Sequence, residues 1–470
     1  MQKNVKIKSF CISVQKLHNF LAMWYTNYGG KSTMVSNDNL KNRDTYLRQL
    51  IAFQDKELIK VITGIRRSGK SKLLVLMVNH LLEEGKSQDQ IIEMHFEKME
   101  FSLMTYKDIY DYVKKRIIPD KRMYLFFDEI QRIEGWENAI NALRVEFDTD
   151  IYVTGSNAYL LSSEYSTYLA GRCIEIKMLP LSFKEFLYFH DFEVKEFTDA
   201  FGKRKKNVID KNGIHYSLRE AFDAYLRFGG MPGIKDVGLD QEKVYMLLEG
   251  IYNTVITRDI LERERRRGQK NIIDAFLLKK IVMFLSDNIG SNISLSSIGN
   301  TLVSTKLLDD RKKKGSPSVH TIENYVNALI ETYLFYEIKR FDIKGKQYLK
   351  TLGKYYISDI GFRNYLLGLR DRDRGHILEN IVYFELLRRG YDVAVGKIDA
   401  KEIDFIAVSP KEKVYFQVTE TLISEETKER ELSPLMKIND NYEKIILSLD
   451  ENEEIFEGVK AINLLEWLLN

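Results

Sequence analysis

The chain has 470 residues, 44% hydrophobic and 30% charged, with 71 Lys and Arg against 68 Asp and Glu for a formal charge of +3. That balance predicts a soluble, cytoplasmic protein of about three domains; it makes no demand for a nucleic-acid partner and offers no apolar run long enough to span a membrane. Cys11 and Cys173 form no spacing motif and the seven histidines are scattered, so a reducing interior is expected and no cysteine or histidine metal site is implied.

Residues 1–42 read as an N-terminal extension outside the fold. Phe10, Ile12, Val14, Phe20, Leu21, Met23 and Trp24 are apolar, but Lys16 and His18 break any signal-type region. The alternative is an N-terminal helix docked on the surface. From Arg43 to Pro180 strand and helix alternate. Strands are predicted at 58–63, 90–97, 123–128, 150–155 and 172–178, with helices at 70–84, 105–117, 136–147 and 157–169. That alternation is the signature of an α/β doubly wound parallel sheet.

Three stretches of this sheet carry chemistry. Gly64-Ile65-Arg66-Arg67-Ser68-Gly69-Lys70-Ser71 is a complete G-x-x-x-x-G-K-[ST] loop between an apolar strand and a helix. The two glycines let the backbone wrap a polyphosphate, and the helix N-terminus adds a favourable dipole. Lys70 would reach the β- and γ-phosphates, and the Ser71 hydroxyl would ligate Mg²⁺. Gly64, Ile65, Arg66, Arg67, Ser68, Gly69, Lys70, Ser71 and Lys72 are therefore the candidate ATP contacts. Next, Met123-Tyr124-Leu125-Phe126-Phe127-Asp128-Glu129 is an apolar strand ending in paired carboxylates, as in a Walker B motif. Asp128 would hold Mg²⁺ through water and Glu129 would orient or deprotonate the attacking water. The strand over 150–155 then ends in Ser156 and Asn157. Asn157 would contact the γ-phosphate or the lytic water, or else belong to a polar turn capping the next helix.

Residues 181–268 read as a polar helical lid, with charged runs at Lys203–Lys206 and Glu262–Arg267 and a sharp Gly229-Gly230-Met231-Pro232 turn. Over 269–368 three helical stretches precede a β-hairpin across Lys344-Gly345-Lys346, the order of a winged helix-turn-helix. The presumed recognition helix, Ser318–Leu334, lacks Lys and Arg but has Glu323 and Glu331, which suits DNA poorly. Arg311-Lys312-Lys313-Lys314 just ahead of it would grip backbone phosphates, or else form a solvated basic loop. Residues 369–470 follow as a helix at 376–389, strands at 391–398, 402–408 and 413–419, another helix, and a strand at 444–449.

With these motifs in order, the chain resembles a large bacterial and archaeal family of AAA+-type ATPases. The matching stretches are Val61–Leu74, Tyr124–Arg132, Tyr152–Asn157, Leu169–Arg172, Leu179–Phe183, Gly229–Pro232, Leu378–Asn380 and Glu402–Phe405. Members of that family carry a C-terminal domain combining a winged helix with a restriction-endonuclease-like fold. The resemblance implies ATP binding, possible homo-oligomers, and a role for Arg172 in sensing or completing the nucleotide site; a surface salt bridge is the alternative for Arg172. Arg258, in Thr257-Arg258-Asp259, is a weaker lid sensor. In the resembled nuclease fold Glu379 and Asp404 would bind metal. The next acid and lysine are replaced by Gln417 and Thr419, so the domain is expected to be inactive.

The resulting expectation is a Mg²⁺-dependent ATPase that moves C-terminal modules to act on an unidentified protein partner, with DNA a less favoured partner and no membrane. The rivals are a nucleotide-gated switch with little hydrolysis and a DNA-processing enzyme.

Overall fold

Parallel strands covered on both faces need unbroken apolar runs, and the first sheet has them. In the computed structural model, which describes residues 40–158, 171–200, 202–262, 274–304, 317–349, 352–370 and 373–470, its strands are β1 (Ile59–Thr63), β2 (Ile91–His95), β3 (Met123–Asp128), β4 (Thr149–Gly155) and β5 (Cys173–Lys177). Every residue of β1 and β3 is buried. The order is β2-β3-β4-β1-β5 and all pairings are parallel, so β4 lies between the phosphate-loop strand and the acid strand. Helices α1 (Asp44–Ala52), α2 (Lys70–Glu83), α3 (Tyr106–Lys114) and α4 (Trp136–Glu146) accompany the sheet. Ile109, Val113, Trp136, Ile140 and Leu143 pack on Ile92, Leu125, Phe127 and Val153. The α/β reading of this region and its five strands is correct. The expectation for residues 1–42 falls almost wholly outside the described residues, as does nearly all of the helix predicted at 157–169.

The lid expectation needs correction. Helices α5 (Phe183–Phe189), α6 (Leu218–Phe228) and α7 (Gln241–Thr254) are present, and α7 continues in wider π-type turns over Val255–Glu262. Between α5 and α6, however, lies an antiparallel sheet of β6 (Glu193–Thr198), β7 (Arg204–Ile209) and β8 (His215–Ser217). The basic run that read as polar helix lies at the start of β7. Its cations face acids of the C-terminal region: Lys205 Nζ is 2.9 Å from Glu451 Oε2 and Lys206 Nζ is 2.5 Å from Glu466 Oε2.

Helices α8 (Ala275–Asp287), α9 (Leu295–Ser304) and α10 (Val319–Glu331) precede β9 (Phe335–Ile338), β10 (Arg340–Asp342), β11 (Gln347–Tyr348) and β12 (Lys354–Ile357). The hairpin pairs as expected, β9 with β12 and β10 with β11. It does not stand free: β10 also pairs in parallel with β13 (Asp392–Ile398) and so joins an eight-stranded mixed sheet. That sheet continues through β14 (Lys401–Val408), β15 (Lys413–Val418) and β16 (Glu443–Ser448) to β17 (Glu454–Phe456) and β18 (Val459–Asn463). The last two strands, with helices α11 (Ile360–Leu367) and α14 (Leu464–Leu469), had no counterpart in the sequence reading. Helices α12 (Arg374–Arg388) and α13 (Glu425–Met436) pack against the sheet.

Beside the first sheet's own core, a second apolar core runs from Ile65 and Phe183 through Leu278 and Phe362 to Leu468. Its segments approach closely at Gly230, where a Cβ would lie 2.4 Å from the Leu181 carbonyl oxygen. There the buried Asp359 carboxylate accepts from the Gly230 and Gly361 N–H groups, and burial pushes its pKa up to about 6. Among the described residues no helix is long and apolar enough to cross a membrane.

Candidate functional site

The phosphate loop sits at the carboxyl end of β1, where ligand sites in parallel sheets gather. Its shape depends on glycine. A Cβ on Gly64 would lie 2.1 Å from the Met178 carbonyl oxygen, and Gly64 and Gly69 hold φ of 139° and 105°. Arg67 is also left-handed, with φ of 66°. The Ser68 hydroxyl is buried and has no hydrogen-bond partner among the described residues.

Lys70 lies inside the loop, its Nζ 2.9 Å from Gly64 O, 3.2 Å from Ile65 O and 4.0 Å from Glu129 Oε1. Burial lowers its pKa, while Glu129, Asp128 and Asp259 act in the opposite sense. Beside it Ser71 Oγ donates to Asp128 Oδ1 at 2.9 Å, so the two candidate Mg²⁺ ligands already touch. Thr154 Oγ1 donates to the same oxygen at 2.6 Å, and His95 Nδ1 is 3.3 Å from Oδ2. Burial would raise the Asp128 pKa, but the His95, Thr154 and Ser71 hydrogen bonds hold it below the usual value.

Glu129 takes φ of 57°, a left-handed conformation that costs a residue with a Cβ and is found where a site demands it. Its N–H donates to Thr154 Oγ1 at 2.9 Å. Its Oε2 accepts from Gln131 Nε2 at 2.6 Å and from Ser156 Oγ at 3.1 Å. The acid is thus aimed by three neighbours. In the sequence Thr154 and Ser156 stand only as small polar residues at a strand end, and no local motif marks His95 or Gln131. His95 is legible in retrospect as the last residue of a strand paired in register with Asp128.

Around the rim, Arg66 reaches Glu97 at 2.7 Å and Asp259 at 3.4 Å, and Arg132 shares Glu97 at 2.9 Å. Asn157 is buried just after β4 on this rim. Arg258 is exposed, so the Thr257-Arg258-Asp259 triplet meets the loop through Asp259 instead.

Arg172 is not brought to this site. Ile59 pairs with Cys173 and Thr63 with Lys177, so Arg172 enters β5 at the opposite rim, about 15 Å from the loop by strand geometry. Its carbonyl accepts from Ile59 N and its Nη1 lies 3.4 Å from Asn141 Oδ1. It cannot complete the nucleotide site of its own chain.

A second cluster lies in the C-terminal region. Glu379, Asp404, Gln417 and Thr419 line a cavity of about 570 Å³ together with Lys401 and Glu431. Lys354 Nζ is 3.3 Å from Glu379 Oε2 and 2.6 Å from Glu402 Oε1, and Tyr356 OH donates to Glu379 Oε2 at 3.0 Å. Burial would raise Glu379, but Lys354 and His376 outweigh it and hold the pKa low. Asp404 goes the other way, driven well up by burial and by the nearby Glu379 and Glu431 carboxylates. Gln417 spends both ends of its amide: Oε1 accepts from Asp404 N at 2.7 Å and Nε2 donates to Glu431 Oε2 at 2.8 Å.

Residues 56–187, which include the phosphate loop, Asp128 and Glu129, match an AAA domain, and residues 219–373 match a domain of unknown function. An uncharacterized protein of Haemophilus influenzae is 40% identical over 435 residues, 91% of this chain and 98% of that one. Uncharacterized protein MJ1544 of Methanocaldococcus jannaschii is 31% identical over 420 residues, 85% of this chain and 84% of that one. Among solved structures, a Walker-type ATPase of Pyrococcus abyssi covers 70% of this chain and 97% of its own at 15% identity and a TM-score of 0.39. The Aeropyrum pernix ORC1 protein in complex with DNA covers 70% and 93% at 14% identity and a TM-score of 0.30.

Proposed function

Because the chain belongs to the family of these Haemophilus influenzae and Methanocaldococcus jannaschii proteins, with an AAA domain of P-loop ATPase type, we propose that it binds MgATP in the cytoplasm, hydrolyses it, and passes the change to its C-terminal modules. One observation carries the reading: Lys70, Ser71, Asp128 and Glu129 converge on one glycine-shaped loop within 4.0 Å of one another in pairs. These residues fit the group. Ser71 and Asp128 would hold Mg²⁺, which neutralises charge on the transferring phosphoryl group when bound. Lys70 and the loop N–H groups hold the phosphates. Glu129, aimed by Gln131 and Ser156, orients the water and takes its proton. Purified protein is expected to release phosphate from ATP in a Mg²⁺-dependent way that chelation stops. Saturable ATP binding without phosphate release would favour the switch reading instead.

Coupling is supported by a buried chain of charges. Arg43 Nη1 donates to the loop carbonyl of Ser68 at 3.3 Å, and the same guanidinium pairs with Glu185 at 2.6 Å. Glu185 lies 3.9 Å from Arg388, which pairs with Glu385 at 2.6 Å on α12. Burial would raise Glu185, yet Arg43 and Arg388 hold it below the usual carboxylate range. A second link runs from Thr63 at the loop through Glu175 to Tyr333, just after α10.

The remaining boundaries are carried as part of the same proposal: an ATPase core at 43–180, a lid at 181–268, a winged helix at 269–368 and an inactive nuclease-like domain at 369–470. A protein partner is favoured over DNA because the exposed positions of α10, Val319, His320, Glu323 and Asn327, include no Lys or Arg. The basic loop at 311–314 lies outside the described residues. Arg172, at the far rim, has a catalytic role open to it only toward a neighbouring copy. No Mg²⁺- or Mn²⁺-dependent cleavage of single- or double-stranded DNA is expected, since Gln417 is tied to Asp404 and Glu431. Cleavage lost in Asp404→Ala would reverse that assignment.

A further inference from the structure

We propose that Asp259 sets the affinity of the phosphate loop by competing with the nucleotide for Arg66. The proposal rests on the reading of this loop as an ATP site, and it deepens that reading by naming what ATP must displace.

Arg66 is one of the four variable residues between the glycines of the loop. Its side chain and that of Asp259 are only 13% and 12% exposed, and Nη1 lies 3.4 Å from Asp259 Oδ1. An acid from outside the sheet therefore faces a cation of the loop. Glu97 holds the other side of the guanidinium from a half-exposed position, where solvent weakens the pair. A polyphosphate carries several negative charges against one on Asp259, and guanidinium forms forked bonds to phosphate as readily as to carboxylate. MgATP arriving in the loop would draw Arg66 away from Asp259.

The consequence reaches beyond the loop because of where Asp259 is carried. It lies in the π-type turns of Val255–Glu262 at the end of α7, a backbone form common at functional sites. α7 packs on α11, with Tyr245 and Tyr252 both in ring contact with Tyr365. α11 leads directly toward α12, which bears Glu379. Release of Asp259 would thus loosen a segment that joins the phosphate loop to this helix stack.

The test is titration of the full-length protein with the Mg²⁺ complex of a non-hydrolysable ATP analogue. Asp259→Asn is expected to tighten binding by about fivefold or more. Arg66→Ala should weaken it, and Asp259→Asn added to Arg66→Ala should bring no tightening, since the competition is then gone. A structural role alone would lower the melting temperature without tightening binding, so unchanged or weaker binding in Asp259→Asn overturns the proposal. Hydrogen exchange of wild type gives a reading that survives a poorly folding variant. Amides over Val255–Glu262 should exchange faster with the analogue bound, and slower or unchanged exchange counts against Asp259. Wild type that binds no nucleotide would reject the ATP site itself, whereas normal wild-type binding with an inert Asp259→Asn rejects only this competition.

Discussion

Glu129→Gln is expected to bind MgATP with near wild-type affinity while turnover falls by about 10²–10⁴-fold, and Lys70→Ala is expected to lose the binding itself. The difference follows from what each side chain supports. The backbone of Glu129 is fixed by its N–H bond to Thr154, which the substitution spares. The amide oxygen of glutamine would still accept from Gln131 and Ser156, so the side chain keeps its place. Only the basic oxygen nearest Lys70 is lost, and with it the group that takes a proton from water. Lys70→Ala instead removes the cation between the loop carbonyls and Glu129 and leaves Asp128 and Glu129 facing an anionic ligand. Nucleotide titration beside phosphate-release kinetics separates binding from chemistry. Equal turnover in wild type and Glu129→Gln would sink the assignment of Glu129.

What was legible in the sequence was local. The phosphate loop occupies eight consecutive residues and its strand an unbroken apolar run, so both stand out without any alignment. The acid pair Asp128-Glu129 closes a second such run. Contacts between distant segments left no trace: Arg66 and Asp259 are 193 residues apart, and Arg43 and Glu185 are 142 apart. The strands β6 and β7 were hidden because the basic run at β7 is polar on both faces, with its cations spent on Glu451 and Glu466 rather than on solvent. Arg172 shows the limit of resemblance. Its place in the chain is right for an arginine that completes a site, but the direction of β5 puts it at the wrong rim. Gln417 stands in the sequence as a lost ligand; in the fold its amide is a brace between Asp404 and Glu431.

Lys354→Met should destabilise the folded chain by about 3–5 kcal/mol at neutral pH, because it strips the counter-charge from buried carboxylates. Lys354 is 3% exposed and its ammonium bridges Glu379 and Glu402, with Asp404 close by. Methionine matches its length and apolar stem, so the change isolates the charge. The pH dependence tests the cause. Burial alone would lower Lys354, but Glu379, Asp404 and Glu402 raise its pKa above the ordinary 10.5, so its contribution is full below 10.5 and fades only as pH climbs through the raised value. Glu379 is held below 4.5, so its contribution is full above 4.5 and is lost as pH falls through the lowered value. Asp404, raised, changes in the opposite sense and favours the folded state when protonated. The stability gap between wild type and Lys354→Met should therefore narrow in acid, as Glu379 takes up a proton and no longer needs the ammonium. Urea midpoints for both proteins from neutral to acid pH would show it. A gap that is absent at neutral pH, or that stays constant into strong acid, would mean that Lys354 acts through packing and that Glu379 is neutralised by His376 instead.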